Sequence, residues 1–91
     1  EIRVDKAILG VSAATLERGM TTASVMEAQV KRSVIGASRE VIAVIDHSKF
    51  GKEAFAFVAP MEAAHVIVTD DKVDAEVVRA LEEKGIKVVI A

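Results

Sequence analysis

The sequence predicts an α/β domain built on a parallel sheet, with its elements in the order β-α-β-β-α-β. Short apolar segments rich in Val and Ile alternate along the chain with two segments of helical periodicity. This alternation is typical of parallel sheets with right-handed crossover connections. Three of the strand segments are apolar on both faces, as strands of buried parallel sheets are. The 91 residues therefore predict one Rossmann-like, three-layer α/β fragment.

Four segments are predicted as strands, namely residues 4–11, 40–46, 65–69 and 86–91. The segment SAATLERGM (12–20) is predicted as a loop in which Gly19 is free to adopt a positive φ. The segment AFAFVAPMEAA (54–64) is ambiguous, because Pro60 interrupts it.

Two helices are predicted from their caps and their apolar periodicity. Ser24 and Glu27 have the spacing of a capping box, which places the start of the first helix. Its apolar face consists of residues at helical spacing: Met26, Val30, Val34 and Ala37. The second helix is expected to be capped by Asp74 and to end at Lys84 and Gly85. Its inward-facing residues are Val77, Val78 and Leu81.

Two helices are too few to cover both faces of a four-stranded sheet. We therefore expect additional chain or an oligomer partner to cover the remainder. The sequence begins (EIRVD) and ends (KVVIA) close to strand segments, which predicts a piece of a longer protein.

Composition argues against several functional classes. Twelve basic and 14 acidic residues give a net charge of −2, without the basic excess of a nucleic-acid-binding domain. The absence of Cys excludes disulfides and thiolate metal sites, and it is compatible with the cytoplasm, where we expect the protein. No apolar run approaches the ~20 residues that span a bilayer.

Polar residues follow three predicted strands, at the edge where open parallel sheets bind ligands. They are Gly10-Val11-Ser12, Asp46-His47-Ser48-Lys49 and Thr69-Asp70-Asp71. The alternative is that any strand must leave the core through polar residues. FGKE (50–53) resembles the end of a phosphate-binding P-loop, but it lacks the required upstream glycine and the hydroxyl residue after the lysine. Asp70-Asp71 could bind a divalent cation, although capping of the second helix explains at least one of them more simply.

Asp46 and Lys49 are the best candidates for a ligand site. A carboxylate at a strand end can accept hydrogen bonds from sugar hydroxyls, and a lysine three residues on can neutralise a phosphate. Lys31 is expected at the same crevice, and Thr21 and Thr22 precede a helix N-terminus, where anions bind favourably. The alternative is a surface ion pair between Asp46 and Lys49, worth less than about 1 kcal/mol.

Five motifs in this order resemble the effector-binding domain of the DeoR family of bacterial transcription regulators. They are DKAILGV, GMTT, EAQVKR, VIDHSKFG and VIVTD. The resemblance implies the C-terminal part of that domain, with an N-terminal winged helix-turn-helix and a phosphate loop lying outside this chain. It implies a sensor of phosphorylated sugars, without catalytic residues, cofactor or metal, and an oligomeric repressor that reaches DNA through its missing N-terminal domain.

Carried over by position, the resemblance implies a ligand site at Lys31, Asp46 and Lys49, with Thr22 and Glu27 near it. The domain is also similar to ribose-5-phosphate isomerase, which shares a D-x-S-K segment. The general base of an isomerase has no obvious occupant here, so sensing is preferred to catalysis. A sugar-phosphate isomerase-like enzyme and a structural oligomerisation module remain the alternatives.

Overall fold

A computed structural model describes residues 3–91. In chain order its elements are β1 (Val4–Gly10), β2 (Ala13–Thr15), β3 (Gly19–Thr22), α1 (Val25–Ala37), β4 (Ser38–Val44), β5 (Ala56–Ala59), β6 (Val66–Thr69), α2 (Ala75–Glu83) and β7 (Lys87–Ile90). Single 3₁₀ turns occur at His47–Lys49 and Met61–Ala63. Neither α1 nor α2 is long and apolar enough to cross a membrane.

The larger sheet is parallel, with strand order β1-β4-β6-β7. Its members are the four strands predicted from sequence, so the predicted α/β class is confirmed. His65, just before β6, has a structural role: its Nδ1 accepts a hydrogen bond from the backbone N–H of Val41 at 2.9 Å. That bond joins the start of β6 to β4.

A second, antiparallel sheet of order β2-β3-β5 was not predicted. The expected loop over residues 12–20 is wrong, because it contains β2 and the start of β3. These strands have three or four residues, and Ala and Gly in them give little strand signal. Gly19 does adopt a positive φ, of 91°, and a Cβ there would lie 2.4 Å from the carbonyl oxygen of Ala59. Glycine is therefore required where β3 approaches the end of β5.

The buried cluster of residues 3–91 lies on one face of the parallel sheet. The strand order rises steadily along the chain, so right-handed connections must all lie on the same side. Ala28 of α1 and Leu81 of α2 belong to one buried cluster with Ile67 of β6. That cluster also includes Met20 and Val58 of the small sheet. We call this side of the sheet the packed face.

The opposite side of the parallel sheet, which we call the open face, is apolar and largely uncovered by residues 3–91. Ile8 is 72% exposed, Val44 46% and Val89 37%. These residues alternate with buried ones such as Leu9 and Ala43, as the period-two geometry of a strand requires. The expectation that two helices leave part of the sheet uncovered is confirmed.

The two helices begin as predicted. The Ser24 side chain accepts from the backbone N–H of Glu27 at 3.1 Å, and the Asp74 side chain accepts from Glu76 at 2.9 Å. Leu81 is fully buried, as expected for α2. The predicted apolar face of α1, in contrast, stays exposed at Met26 and Val30, while Ala28 is buried. α1 ends at Ala37 and β4 begins at Ser38, with no residue between them.

Candidate functional site

The carboxyl edge of the parallel sheet carries two separate hydrogen-bonded groups of polar side chains. The first follows β1 and β3. Thr22 Oγ1 donates to Glu27 Oε1 at 3.0 Å and lies 3.3 Å from Ser12 Oγ. Because Thr22 is buried and its hydroxyl is committed to Glu27, its role is to orient that carboxylate. We call Ser12, Thr22 and Glu27 the first network.

A cavity of about 330 Å³ opens beside the first turns of α1. It is lined by Ser24, Met26, Glu27, Val30 and Lys31. Glu27 and Lys31 lie four residues apart, so one helix face presents a carboxylate and an ammonium group to the same space. A small ligand with both hydroxyl and anionic groups would find a partner for each.

The second network follows β4 and β6. Asp46 Oδ1 accepts from the backbone N–H of Ser48 at 2.8 Å and from its hydroxyl at 2.5 Å. Asp70 Oδ2 accepts from the backbone N–H of His47 at 2.9 Å and lies 3.0 Å from its ring Nδ1. The two carboxylates therefore lie at the ends of neighbouring strands, and each is held by the turn after β4. Asp46, His47, Ser48 and Asp70 form this second network.

These hydrogen bonds lower the pKa of both carboxyl groups. The hydrogen bond from the Ser48 hydroxyl is the main cause that lowers the pKa of Asp46. The backbone N–H of Ser48 and the charge of Lys49 lower that pKa by smaller amounts. For Asp70, the backbone and side-chain hydrogen bonds from His47 lower the pKa to about 2. Both groups are hydrogen-bond acceptors at neutral pH.

A cavity of about 190 Å³ lies at this second network. Its lining residues are Val44, Asp46, Val68, Thr69, Asp70 and Ala91. Val44 and Val68 belong to the open face of the sheet, so this cavity has an apolar floor with carboxylates at its rim. The arrangement suits the hydroxyls of a sugar better than its phosphate, because two carboxylates repel an anion.

One ligand-type atom from each of Asp46, His47 and Asp70 lies within 4.8 Å of the others. A metal ion could be held by such a group, but hydrogen bonds to His47 and Ser48 already account for the arrangement. The predicted cap role for Asp70 or Asp71 is wrong, because Asp74 caps α2. Asp70 instead binds the neighbouring turn.

Comparison with known proteins identifies the family. Residues 1–71 match the sequence model of the family described as "DeoR C terminal sensor domain". The chain belongs to this family. The resemblance inferred from the five motifs is confirmed.

Several curated relatives match the sensor domain over nearly its whole length. It is 32% identical over 88 residues to the HTH-type transcriptional regulator IolR of Bacillus subtilis, covering 97% of this chain and 35% of the relative. It is 33% identical over 90 residues to the glycerol-3-phosphate regulon repressor of Haemophilus influenzae, covering 99% of this chain and 35% of that repressor. The transcriptional repressor AccR of Agrobacterium fabrum is 42% identical to this chain over 71 residues, which are 77% of this chain and 28% of AccR. The chain thus spans about a third of the length of these relatives.

The sensor domain distributes the five residues implied by the resemblance over three places. Glu27 and Lys31 line the larger cavity, and the buried Thr22 donates a hydrogen bond to Glu27. Asp46 lines the smaller cavity, whereas Lys49 is half-buried in the turn that follows it. No salt bridge joins Asp46 to Lys49 within residues 3–91, so the ion-pair alternative is not what holds this turn.

Two contributors to the edge were not among the ligand residues predicted from the sequence. His47 and Asp70 are 23 residues apart, and only the pairing of β4 with β6 brings them together. Both were noted in polar segments after predicted strands, but residue spacing carries no signal that the two are in contact. Thr21, considered beside Thr22, is committed elsewhere: its hydroxyl donates to the Ala13 carbonyl and accepts from the Ala54 N–H.

Proposed function

We propose that this sensor domain binds a phosphorylated sugar or a related metabolite and regulates transcription as part of a longer repressor. The observation that carries the proposal is a pair of cavities of metabolite size: Glu27 and Lys31 line the larger one, and the carboxylates of Asp46 and Asp70 line the smaller one. Membership of the sensor domain family supports it. So does the similarity to a protein named for the glycerol-3-phosphate regulon.

The proposed ligand residues have complementary chemistry. Asp46 and Glu27 accept hydrogen bonds from hydroxyl groups, and Thr22 fixes the orientation of Glu27. Lys31 and Lys49 supply positive charge for the phosphate. The N-terminus of α1 lies at the larger cavity and favours an anion there, although Ser24 already satisfies one of its amides.

The rest of the repressor converts ligand binding into a change in DNA binding. We infer that DNA is bound by an N-terminal winged helix-turn-helix, since relatives of three times this length are named HTH-type regulators. Ligand binding changes DNA affinity only if the ligand prefers one arrangement of the regulator over another. The open face offers apolar surface for contacts within an oligomer.

The test is a calorimetric titration of the full-length regulator with sugar phosphates and with the corresponding unphosphorylated sugars. Lys49→Ala and Lys31→Ala should each weaken binding of the phosphorylated ligand by ~10–100-fold, because each removes a hydrogen bond to a charged group. Asp46→Ala should weaken phosphorylated and unphosphorylated ligands by similar factors, since it removes a hydroxyl contact.

Lys52→Ala is the matched control for Lys49→Ala. It removes an exposed lysine three residues further along, and its affinity should stay within about twofold of the parent. If Lys49→Ala and Asp46→Ala both bind like the parent, the assignment of the site is wrong. Turnover of ribose 5-phosphate that a single carboxylate substitution abolishes would favour the isomerase alternative instead.

A further inference from the structure

The turn that carries Asp46 and Lys49 is fixed at both of its ends. On its C-terminal side, Gly51 N–H donates to the Ala14 carbonyl at 2.8 Å and Phe50 packs against the core. On its N-terminal side, Ile45 N–H donates to the Val68 carbonyl at 3.0 Å, and Asp70, directly after β6, contacts His47. Among the hydrogen bonds of residues 3–91, Asp70 supplies the one side chain from another element that contacts residues 46–49.

Asp70 holds two turns at once. Its Oδ2 accepts from the backbone N–H of His47 and contacts the His47 ring, while its Oδ1 accepts from the backbone N–H of Lys72 at 2.9 Å. Val73 N–H donates to the Asp70 carbonyl at 3.3 Å and closes the second turn. The Asp70 carboxylate therefore links the turn after β4 to the turn after β6 by hydrogen bonds to both turns.

From this geometry we propose that Asp70 is a positioning residue, which holds Asp46 and Lys49 in the conformation that receives the metabolite. The inference rests on the proposed function. It also explains the VIVTD motif, whose aspartate neither caps α2 nor contacts Lys49.

The physical basis is the cost of ordering a turn when ligand binds. A turn that is already held loses little conformational freedom on binding, whereas a released turn loses more and binds less tightly. Asp46 cannot hold the turn alone, because its hydrogen bonds go to Ser48 within the same turn. Removal of Asp70 leaves these local bonds and the backbone bond from Ile45 to Val68, but it removes the side-chain hydrogen bonds that hold His47 against the end of β6.

The experiment compares Asp70→Ala, Asp70→Asn and Asp71→Ala in the full-length regulator, titrated with the sugar phosphate that the parent binds best. Asp70→Ala should weaken binding about tenfold, as loss of one hydrogen bond to a charged group would. Asp70→Asn should recover part of that loss, because its amide oxygen can still accept from His47. Asp71→Ala removes the adjacent exposed carboxylate and should bind within about twofold of the parent.

Amide hydrogen exchange supplies a readout that does not depend on affinity. In Asp70→Ala the amides of His47 and Lys72 should exchange faster, while amides of α1 should keep their parent rates. Equal affinities of Asp70→Ala and parent would overturn the positioning role alone. If the parent binds none of the sugar phosphates, the proposed function is overturned and this inference with it. If Asp70→Ala does not fold, Asp70→Asn against Asp71→Ala decides: equal affinities overturn the role.

Discussion

The two faces of the parallel sheet are built from the same residue types but have different surroundings. On the packed face, Val41, Ala43 and Ile67 are at most 1% exposed, and Ala28 and Leu81 of the helices complete the core. On the open face, Ile8, Val44 and Val89 remain substantially exposed. Strand composition therefore indicates that both faces of the sheet are suited to burial, whereas the handedness of the connections determines which face this chain itself covers.

The helices show the same contrast. α2 buries Leu81 and has charged residues on its outer side, so its pattern and its packing agree. α1 packs through Ala28 and Ile35, and it leaves Met26 and Val30 beside the larger cavity. Apolar periodicity in α1 therefore indicated the side that faces the cavity rather than the side that faces the core.

The largest expected effect is at the packed face. Leu81→Ala should lower the free energy of unfolding by about 2–5 kcal/mol, because it leaves a cavity in the buried cluster. Ile8→Ala on the open face removes similar apolar volume from an exposed side chain and should cost less than about 0.5 kcal/mol. Urea unfolding of parent and variants measures both values. Equal costs would contradict the distinction between the faces.

Gly19 gives the next largest effect, in the small sheet that helps to cover the packed face. Gly19→Ala should destabilise the protein by about 2 kcal/mol or more, since it combines a positive φ with a clash against the Ala59 carbonyl. Gly36→Ala is the matched control. Gly36 lies in α1 with open space around it, so the same substitution should stabilise by about 0.5–1 kcal/mol. Thermal unfolding should show shifts of opposite sign.

Removal of the N-terminal cap of α1 should lower the stability of the protein by a smaller amount. Ser24→Ala removes the acceptor for the Glu27 N–H and should cost about 1 kcal/mol. Ser24→Asp keeps an acceptor and should stay close to the parent. Chemical denaturation distinguishes these outcomes, and an unchanged midpoint for Ser24→Ala would show that the start of α1 is held by Thr22 and Glu27 instead.

The smallest of these contributions to the free energy of unfolding comes from Asp70 at the carboxyl edge, and acid should remove it. The pKa of Asp70 is lowered from 3.8 to about 2, so its ionised form stabilises the fold at a pH above its unfolded value. That stability is lost as pH falls from about 4 towards 2. The difference in urea midpoint between parent and Asp70→Asn should narrow over this window, with Asp71→Asn as the control. A difference that is constant from pH 5 to pH 2.5 would contradict the assigned role of the ionised carboxylate.

The sequence predicted what local chemistry controls. The caps at Ser24 and Asp74, the positive φ at Gly19 and the four parallel strands each depend on residues close together in the chain. The antiparallel sheet was missed because β2 and β3 are short and Ala- and Gly-rich, and because β5 begins 34 residues after β3 ends at Thr22.

The candidate site was predictable only in part, for the same reason. Positions after strands marked Asp46 and its neighbours, but the bond from His47 to Asp70 requires β4 and β6 to be adjacent. Likewise, the burial of Thr22 against Ser12 depends on how the small sheet folds over β1. Contacts between distant segments depend on topology, which residue spacing does not encode.

The direct passage from α1 to β4 constrains how this segment can vary in length. Ser38 donates its backbone N–H to the Ile35 carbonyl, and its hydroxyl donates to the Val34 carbonyl at 2.6 Å, so the last helical turn and the strand share one residue. One residue inserted there, with the helix unchanged, would shift β4 by one position. Val41 and Ala43 would then turn to the open face, and Ile42 and Val44 would enter a core with no room for their larger side chains. Insertions and deletions are therefore not expected to be tolerated at this junction.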